Sequence, residues 1–445
     1  MPSDGKRATS ITDRRTFLRS VTAASTLFVA GLAGCSSQAG DGDGDGGNPN
    51  GGSGEGVATT GSSGGSNEQV NVGFLTPQSG PLSPTGPPMV RGAEIAVTHI
   101  NEELSGVNGR TVNGIVEDTQ TDPATGQERA RKLVEQNNVD VLIGATSGAV
   151  SASVAQYAYK AGVPYFPYGG SESTTGENCA PTTFRYSFST SQDARAGALW
   201  ALDKFGSNVW IHHADYSFGQ SVRDSWRTEL EESSESANIV NVTSSPLGTE
   251  DFSSYISQIQ SSDIDWVLAV VTGSDATSFL SQAEQFGLKS EVGIIGSGTF
   301  SQQPLRQGAG SAAVGVYDLF RYYYRYDLPA NETFVQRFLN EYDIPPTSHA
   351  DNSWTGLHMF AKAANAAGST EAADVIAELE GMEYDSPTGP VTLRDCDHQA
   401  VRDYLIGKIV EPGDYDFPDL SIEQTRPGED ITEPCAETGC EMPSL

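Results

Sequence analysis

Three loops gather the small polar residues that could hold a ligand. Gly144-Ala145-Thr146-Ser147-Gly148 follows the expected strand Val139–Ile143 and leads straight into a helical pattern. The first N–H groups of a helix have no partner within it, and the Ser147 hydroxyl stands beside them. Together they make a small nest suited to a carboxylate or a polarised carbonyl. Tyr168-Gly169-Gly170-Ser171 follows Val163–Pro167: Gly169 and Gly170 permit close backbone approach, and Ser171 adds a donor and an acceptor. The third loop, Thr76–Pro88, follows the run Val70–Leu75. Small residues at such places also serve simply to turn the chain, so binding and turn-making both stay open on position alone.

Other constellations point away from chemistry. His212-His213 with Asp215 suggests a metal centre or a catalytic base. Adjacent strand residues face opposite ways, however, and no helical His pair joins them. Glu117, Asp118 and Asp122 read as loop and helix-capping acids. Gly40 to Gly46 alternates Gly and Asp like a calcium loop but has no following bidentate Glu at the required distance, and reads as linker. Outside the Gly/Ser-rich stretch 36–69, where the pattern is compositional, no G-x-S-x-G elbow occurs, and no phosphate-binding P-loop is present. No metal or cofactor is expected.

The loops need a frame. From Val70 onward short apolar runs alternate with helical periodicity: strands at 70–75, 112–117, 139–143 and 163–167, with helices over 90–100, 125–136 and 149–161. A second series begins near residue 190, with helices over 194–205, 220–232, 252–261 and 276–286 and strands at 209–212, 239–243, 266–271 and 292–295. Helices 333–341, 354–367 and 372–379 follow without a strand between them, then strands 391–393 and 404–409. Repeated βα alternation predicts mostly parallel, doubly wound sheets in two Rossmann-like α/β lobes. Ligands in such sheets lie beyond the carboxyl ends of the strands, which is where the three loops fall. Residues 412–445 are acidic, proline-rich and weakly periodic, and little order is expected there.

A chain of 445 residues suits two or three domains, and 37% hydrophobic residues can fill real cores. With 26 basic against 58 acidic residues the net charge is −32, which would repel a phosphate backbone and excludes nucleic-acid partners. The acidity is spread along the chain, as on a surface solvated for high salt.

The N-terminus reads as an address. Arg14-Arg15-Thr16-Phe17-Leu18-Arg19 is a twin-arginine pattern before an uncharged apolar stretch, Val21 to Gly34, too short to span a bilayer. It ends in Leu32-Ala33-Gly34-Cys35, similar to a lipobox, so residues 1–35 are expected to be an export signal and Cys35 the lipidated residue. The leader carries five basic and two acidic residues, so removing it takes the body from −32 to −35. Residues 36–69, mostly Gly, Ser, Asp and Asn, are expected to be a flexible tether with a reach of roughly 30 Å. Cys179 and Cys396 lie in folded segments and are the expected bridge in an oxidising exterior. Cys435 and Cys440 are near enough to close a small loop; sequence establishes neither pairing.

Taken in order, the stretches VGFLTPQSGPL, RGAEIAV, VEDTQTDP, LIGATSGAVSASVAQYAYKAGVPYF, DYSFGQS, LGTEDFSSYISQI, SQAEQFGL and GPVTLRDCDHQAV carry a resemblance across roughly residues 70–411. The chain resembles the lipoprotein substrate-binding components of ABC importers in the leucine/isoleucine/valine-binding class, which includes receptors for urea and short amides. The resemblance implies a type I periplasmic-binding-protein fold: two lobes joined by a three-crossing hinge around a ligand cleft. Lobe I would be 70–189 plus 322–401, and lobe II 190–321 plus 402–411. It places ligand contacts at Thr85 in the first loop, at Ser147 and Gly148, at Gly169, Gly170 and Ser171, and at Phe218 and Thr272 in lobe II. Amino-acid-binding members carry a tyrosine where Thr272 stands and an acid where Gly298 stands. Both groups are missing here, so the amine is met elsewhere, as by Asp275, or the ligand lacks one.

The function implied is a lipid-anchored receptor on the outer face of the cell membrane that delivers an amino acid, amide, urea-like solute or carboxylate to an ABC permease and ATPase, without enzymatic turnover. Two other readings are a ligand sensor for a signalling partner and an extracellular amidase using Ser147 or the His212-His213 pair.

Overall fold

The computed structural model describes residues 69–445. The expected leader with Cys35, and the tether up to residue 68, lie outside the described residues.

The first sheet holds β1 (Gln69–Thr76), β2 (Thr111–Asp118), β3 (Val141–Gly144) and β4 (Tyr165–Pro167), parallel throughout in the order β2-β1-β3-β4. Side-chain alternation divides each strand between two cores. Val70, Val72, Phe74, Val141 and Ile143 pack into one core with helices Gly86–Glu102 and Ser348–Ala367. Leu75 and Leu142 enter the other with helices Pro123–Asn137 and Gly148–Ala161. With both faces covered, β3 is buried at every position, which is why it reads as an unbroken apolar run.

Next come β5 (Asn208–Ala214), β6 (Asn238–Ser245), β7 (Trp266–Val270), β8 (Gly293–Ile295) and β9 (Tyr317–Phe320). A small antiparallel sheet follows: β10 (Glu383–Ser386), β11 (Gly389–Leu393) and β12 (Ala400–Val401). The chain then returns as β13 (Tyr404–Val410) and β14 (Asp419–Arg426), completing a seven-stranded sheet in the order β14-β13-β9-β8-β7-β5-β6. That sheet is parallel from β6 to β9 and antiparallel at β13 and β14. The same alternation sends Val267 and Ala269 to one core and Trp266, Leu268 and Val270 to the other. The fold is therefore two doubly wound α/β lobes, as the alternation predicts, and the chain passes between the large sheets after β4, after β9 and before β13. Among the described residues no helix is long and apolar enough to cross a membrane.

Two expectations need correction. Cys179 bonds to Cys440 and Cys396 to Cys435, rather than Cys179 to Cys396 and Cys435 to Cys440. Four cysteines allow three pairings, and only the folded chain brings the right α-carbons to 5.6 and 6.1 Å. The tail is also more ordered than its composition suggests. It supplies β14, then helix Gly428–Ile431, whose Ile431 is fully buried among second-lobe residues such as Trp226 and Tyr404. Both disulfides then fasten it to the first lobe.

Candidate functional site

The carboxyl ends of both sheets face a shared cavity of about 130 Å³. From the first lobe, the loop after β1 contributes Leu82, Pro84, Thr85 and Pro88, the loop after β3 Thr146, and the loop after β4 Tyr168 and Gly170. From the second, the loop after β5 supplies Tyr216 and Phe218, the loop after β7 Thr272 and Gly273, and the loop after β8 Gly298 and Thr299. Arg321, directly after β9, and His349 and Gln302 complete the floor.

Hydrogen bonds and stacking hold these side chains in place. Thr85 Oγ1 donates to the Leu82 carbonyl at 2.8 Å and lies 3.4 Å from Thr146 Oγ1. Tyr216 and Thr272 share a hydroxyl bond of 3.0 Å, and Phe188 meets Phe218 edge to face at 5.9 Å between centroids. Tyr168 bonds Ser348 Oγ at 2.9 Å and stacks on His349 at 4.4 Å. Gln302 donates to the Gly298 carbonyl and to Ser348, while its Oε1 lies 2.9 Å from His349 Nδ1. Burial holds His349 down at about 3, so its imidazole is neutral at ordinary pH.

One charge borders the cavity. The Arg321 guanidinium, 7% exposed, lies over the Phe188 ring, 3.1 Å from its centroid. It donates from Nη2 to the Ser297 carbonyl at 2.6 Å and stands 3.6 Å from the buried Asp193 carboxylate. Its Nε has no partner among the described residues. A β-carbon on Gly298, whose φ is +74°, would overlap the guanidinium, so glycine is what lets the arginine lie there. None of the described lining residues is acidic.

Of the residues singled out from sequence, Thr85, Gly170, Phe218 and Thr272 line this cavity. Ser147, Gly148, Gly169 and Ser171 sit one layer behind, next to lining residues Thr146 and Gly170. A β-carbon on Gly148 would meet both Ser171 Oγ and Ser217 Oγ. Those two hydroxyls are buried without partners. Ser171 and Ser217 also border a separate groove carrying Glu172, Asp224, Glu433 and Glu437 beside Arg195. Asp275 is turned away: its carboxylate accepts the Gly248 N–H at 2.9 Å. His212 lies in the second-lobe core against Phe279, its Nδ1 2.9 Å from Thr243 Oγ1, and His213 Nδ1 lies 3.1 Å from the Ala214 carbonyl. Neither borders the cavity. Asp122 caps its helix by accepting the Thr125 N–H at 2.7 Å. Tyr216, Gln302, Arg321 and His349 are lining residues that sequence reading did not single out, and Tyr168 entered only as the first residue of its loop. An arginine directly after the short strand Tyr317–Phe320, at its carboxyl end, was the available cue for one of them.

A cavity closed by strand-end loops of two doubly wound lobes, joined by three crossings, is the arrangement of a type I periplasmic binding protein. The sequence profile of the family described as "Periplasmic binding protein" matches residues 69–414, and the chain belongs to that family of extracytoplasmic solute-binding proteins. A relative, "Leu/Ile/Val-binding protein homolog 7" of Brucella suis biovar 1 (strain 1330), is 27% identical over 335 residues, covering 72% of this chain and 83% of the relative. An amino acid ABC transporter substrate-binding protein from Pseudomonas fluorescens Pf-5 superposes with a TM-score of 0.75 at 22% identity, covering 84% of this chain and 98% of that one. A solute-binding protein of an ABC transporter from Rhodopseudomonas palustris BisB5, solved with 3,4-dihydroxy benzoic acid, also gives 0.75 at 22% identity, covering 82% and 99%.

Proposed function

We propose that the protein is the receptor of an ABC importer, which captures a small organic solute between its lobes and hands it to a permease driven by an ATPase. In this reading residues 1–35 direct twin-arginine export, Cys35 carries the lipid anchor, and the tether keeps the lobes near the membrane. The lobes are 70–189 with 322–401 and 190–321 with 402–411, the second extended by β14 and the helix Gly428–Ile431. The solute is bound and released unchanged: among the described residues no nucleophile, base and orienting group stand together at the cavity. Thr85, Thr146, Gly170, Phe218 and Thr272 touch it, with Ser147, Gly148, Gly169 and Ser171 backing that wall.

The observation that carries this reading is the cavity itself, whose walls come from strand-end loops of both sheets, so that lobe closure buries whatever lies between. The test is a thermal-shift and calorimetric screen of the purified protein against amino acids, amides, urea and organic acids. One solute should stabilise it saturably at one per chain. A screen in which nothing binds overturns the proposal.

A further inference from the structure

The cavity's chemistry narrows the solute, an inference that rests on the receptor reading above. Most of the wall is apolar or aromatic: Leu82, Pro84, Pro88, Leu305, Phe188 and Phe218. Its volume, about 130 Å³, is close to the ~150 Å³ of an engineered cavity that admits benzene, so it suits one ring or one branched aliphatic chain.

Against that body stands a single fixed charge. Arg321 stays protonated at any working pH, and its buried Nε–H lacks a partner among the described residues. An anionic acceptor that reaches this guanidinium from the cavity gains a charge-assisted hydrogen bond. Two carboxylates lie behind the arginine, yet both are engaged inside the protein. Asp193 accepts from Ser297 and faces Arg321. Asp318 accepts the Gly298 N–H at 2.8 Å and the Ser301 N–H at 2.6 Å. An ammonium entering the cavity would meet a guanidinium and no acid among the described lining residues, and an uncompensated buried charge is strongly disfavoured.

We infer that the cavity is built for a carboxylate with an apolar body and no ammonium group, its oxygens meeting the Arg321 guanidinium that Gly298 lets lie against the cavity. An aliphatic chain of leucine's size or a single aromatic ring fits equally, so both enter the test.

Two matched pairs isolate the claim on the unaltered protein. 4-Methylpentanoate differs from leucine by the ammonium alone, and benzoate differs from the isosteric benzamide by a charged acceptor oxygen in place of a neutral NH2 donor. At least one acid should bind about tenfold or more tighter than its partner by calorimetry. Arg321→Lys, checked for folding by circular dichroism, should weaken that acid by about tenfold because a point charge replaces the planar fork. If leucine matches 4-methylpentanoate and benzamide matches benzoate, or if only an amine, amide or urea binds, the carboxylate assignment falls while the receptor reading stands. If no member of this panel or of the wider screen binds, both fall.

Discussion

Two concavities meet at the loop after β4 and could hardly differ more. Gly170 borders the cavity, which is mostly apolar, holds one buried arginine and has no acid on its described lining. Ser171, the next residue, borders the groove, where Glu172, Glu433 and Glu437 surround Arg195, itself 3.7 and 3.6 Å from the two tail glutamates. Burial together with the neighbouring Glu172 pushes the Glu433 carboxyl above its usual range. Charge in the cavity is scarce, enclosed and directed; in the groove it is plentiful and solvated. A fixed charge confers selectivity only where water cannot answer it.

The contrast can be broken in three places. Arg321→Met removes the partner of a fully buried carboxylate and should cost about 3–5 kcal/mol of stability by urea denaturation. A loss below about 1 kcal/mol would mean the Arg321–Asp193 pair is solvated after all. Thr85→Val should weaken solute binding by roughly 1 kcal/mol through its lost hydroxyl. Ser171→Ala, one layer behind, should weaken it less, and Thr228→Ala in the groove not at all. Calorimetry ranks the three, and a larger loss at Ser171 would move the solute toward the helix start at Gly148. Arg195→Met should change the stability by no more than about 0.5 kcal/mol in urea denaturation, an effect vanishing in molar salt. A loss comparable to that of Arg321→Met would erase the distinction between the two regions.

The frame was largely legible because parallel strands covered on both faces leave unbroken apolar runs. Val141–Ile143 and Trp266–Val271 could be recognised without any partner, and the loop rule then led to the neighbourhood of the cavity. What sequence could not supply was facing. Thr146 and Ser147 are equally plausible by type, but the turn into helix Gly148–Ala161 puts only the first on the cavity wall. Arg321 and His349 escaped notice for another reason: one follows β9, a strand too short to stand out, and the other lies on a helix nearly two hundred residues from its stacking partner Tyr168. The cysteine pairing and the order of the tail depend on a return path that no local pattern encodes.

That return path amounts to a leash on the molecule's jaw. Ile431 is seated in one half and Cys435 is covalently fixed to the other, with only Thr432, Glu433 and Pro434 between them. So short a link, even taut, spans at most about 14 Å. Gaping at this edge is thus capped by chain length, and the far rim must swing widest when a guest enters or leaves.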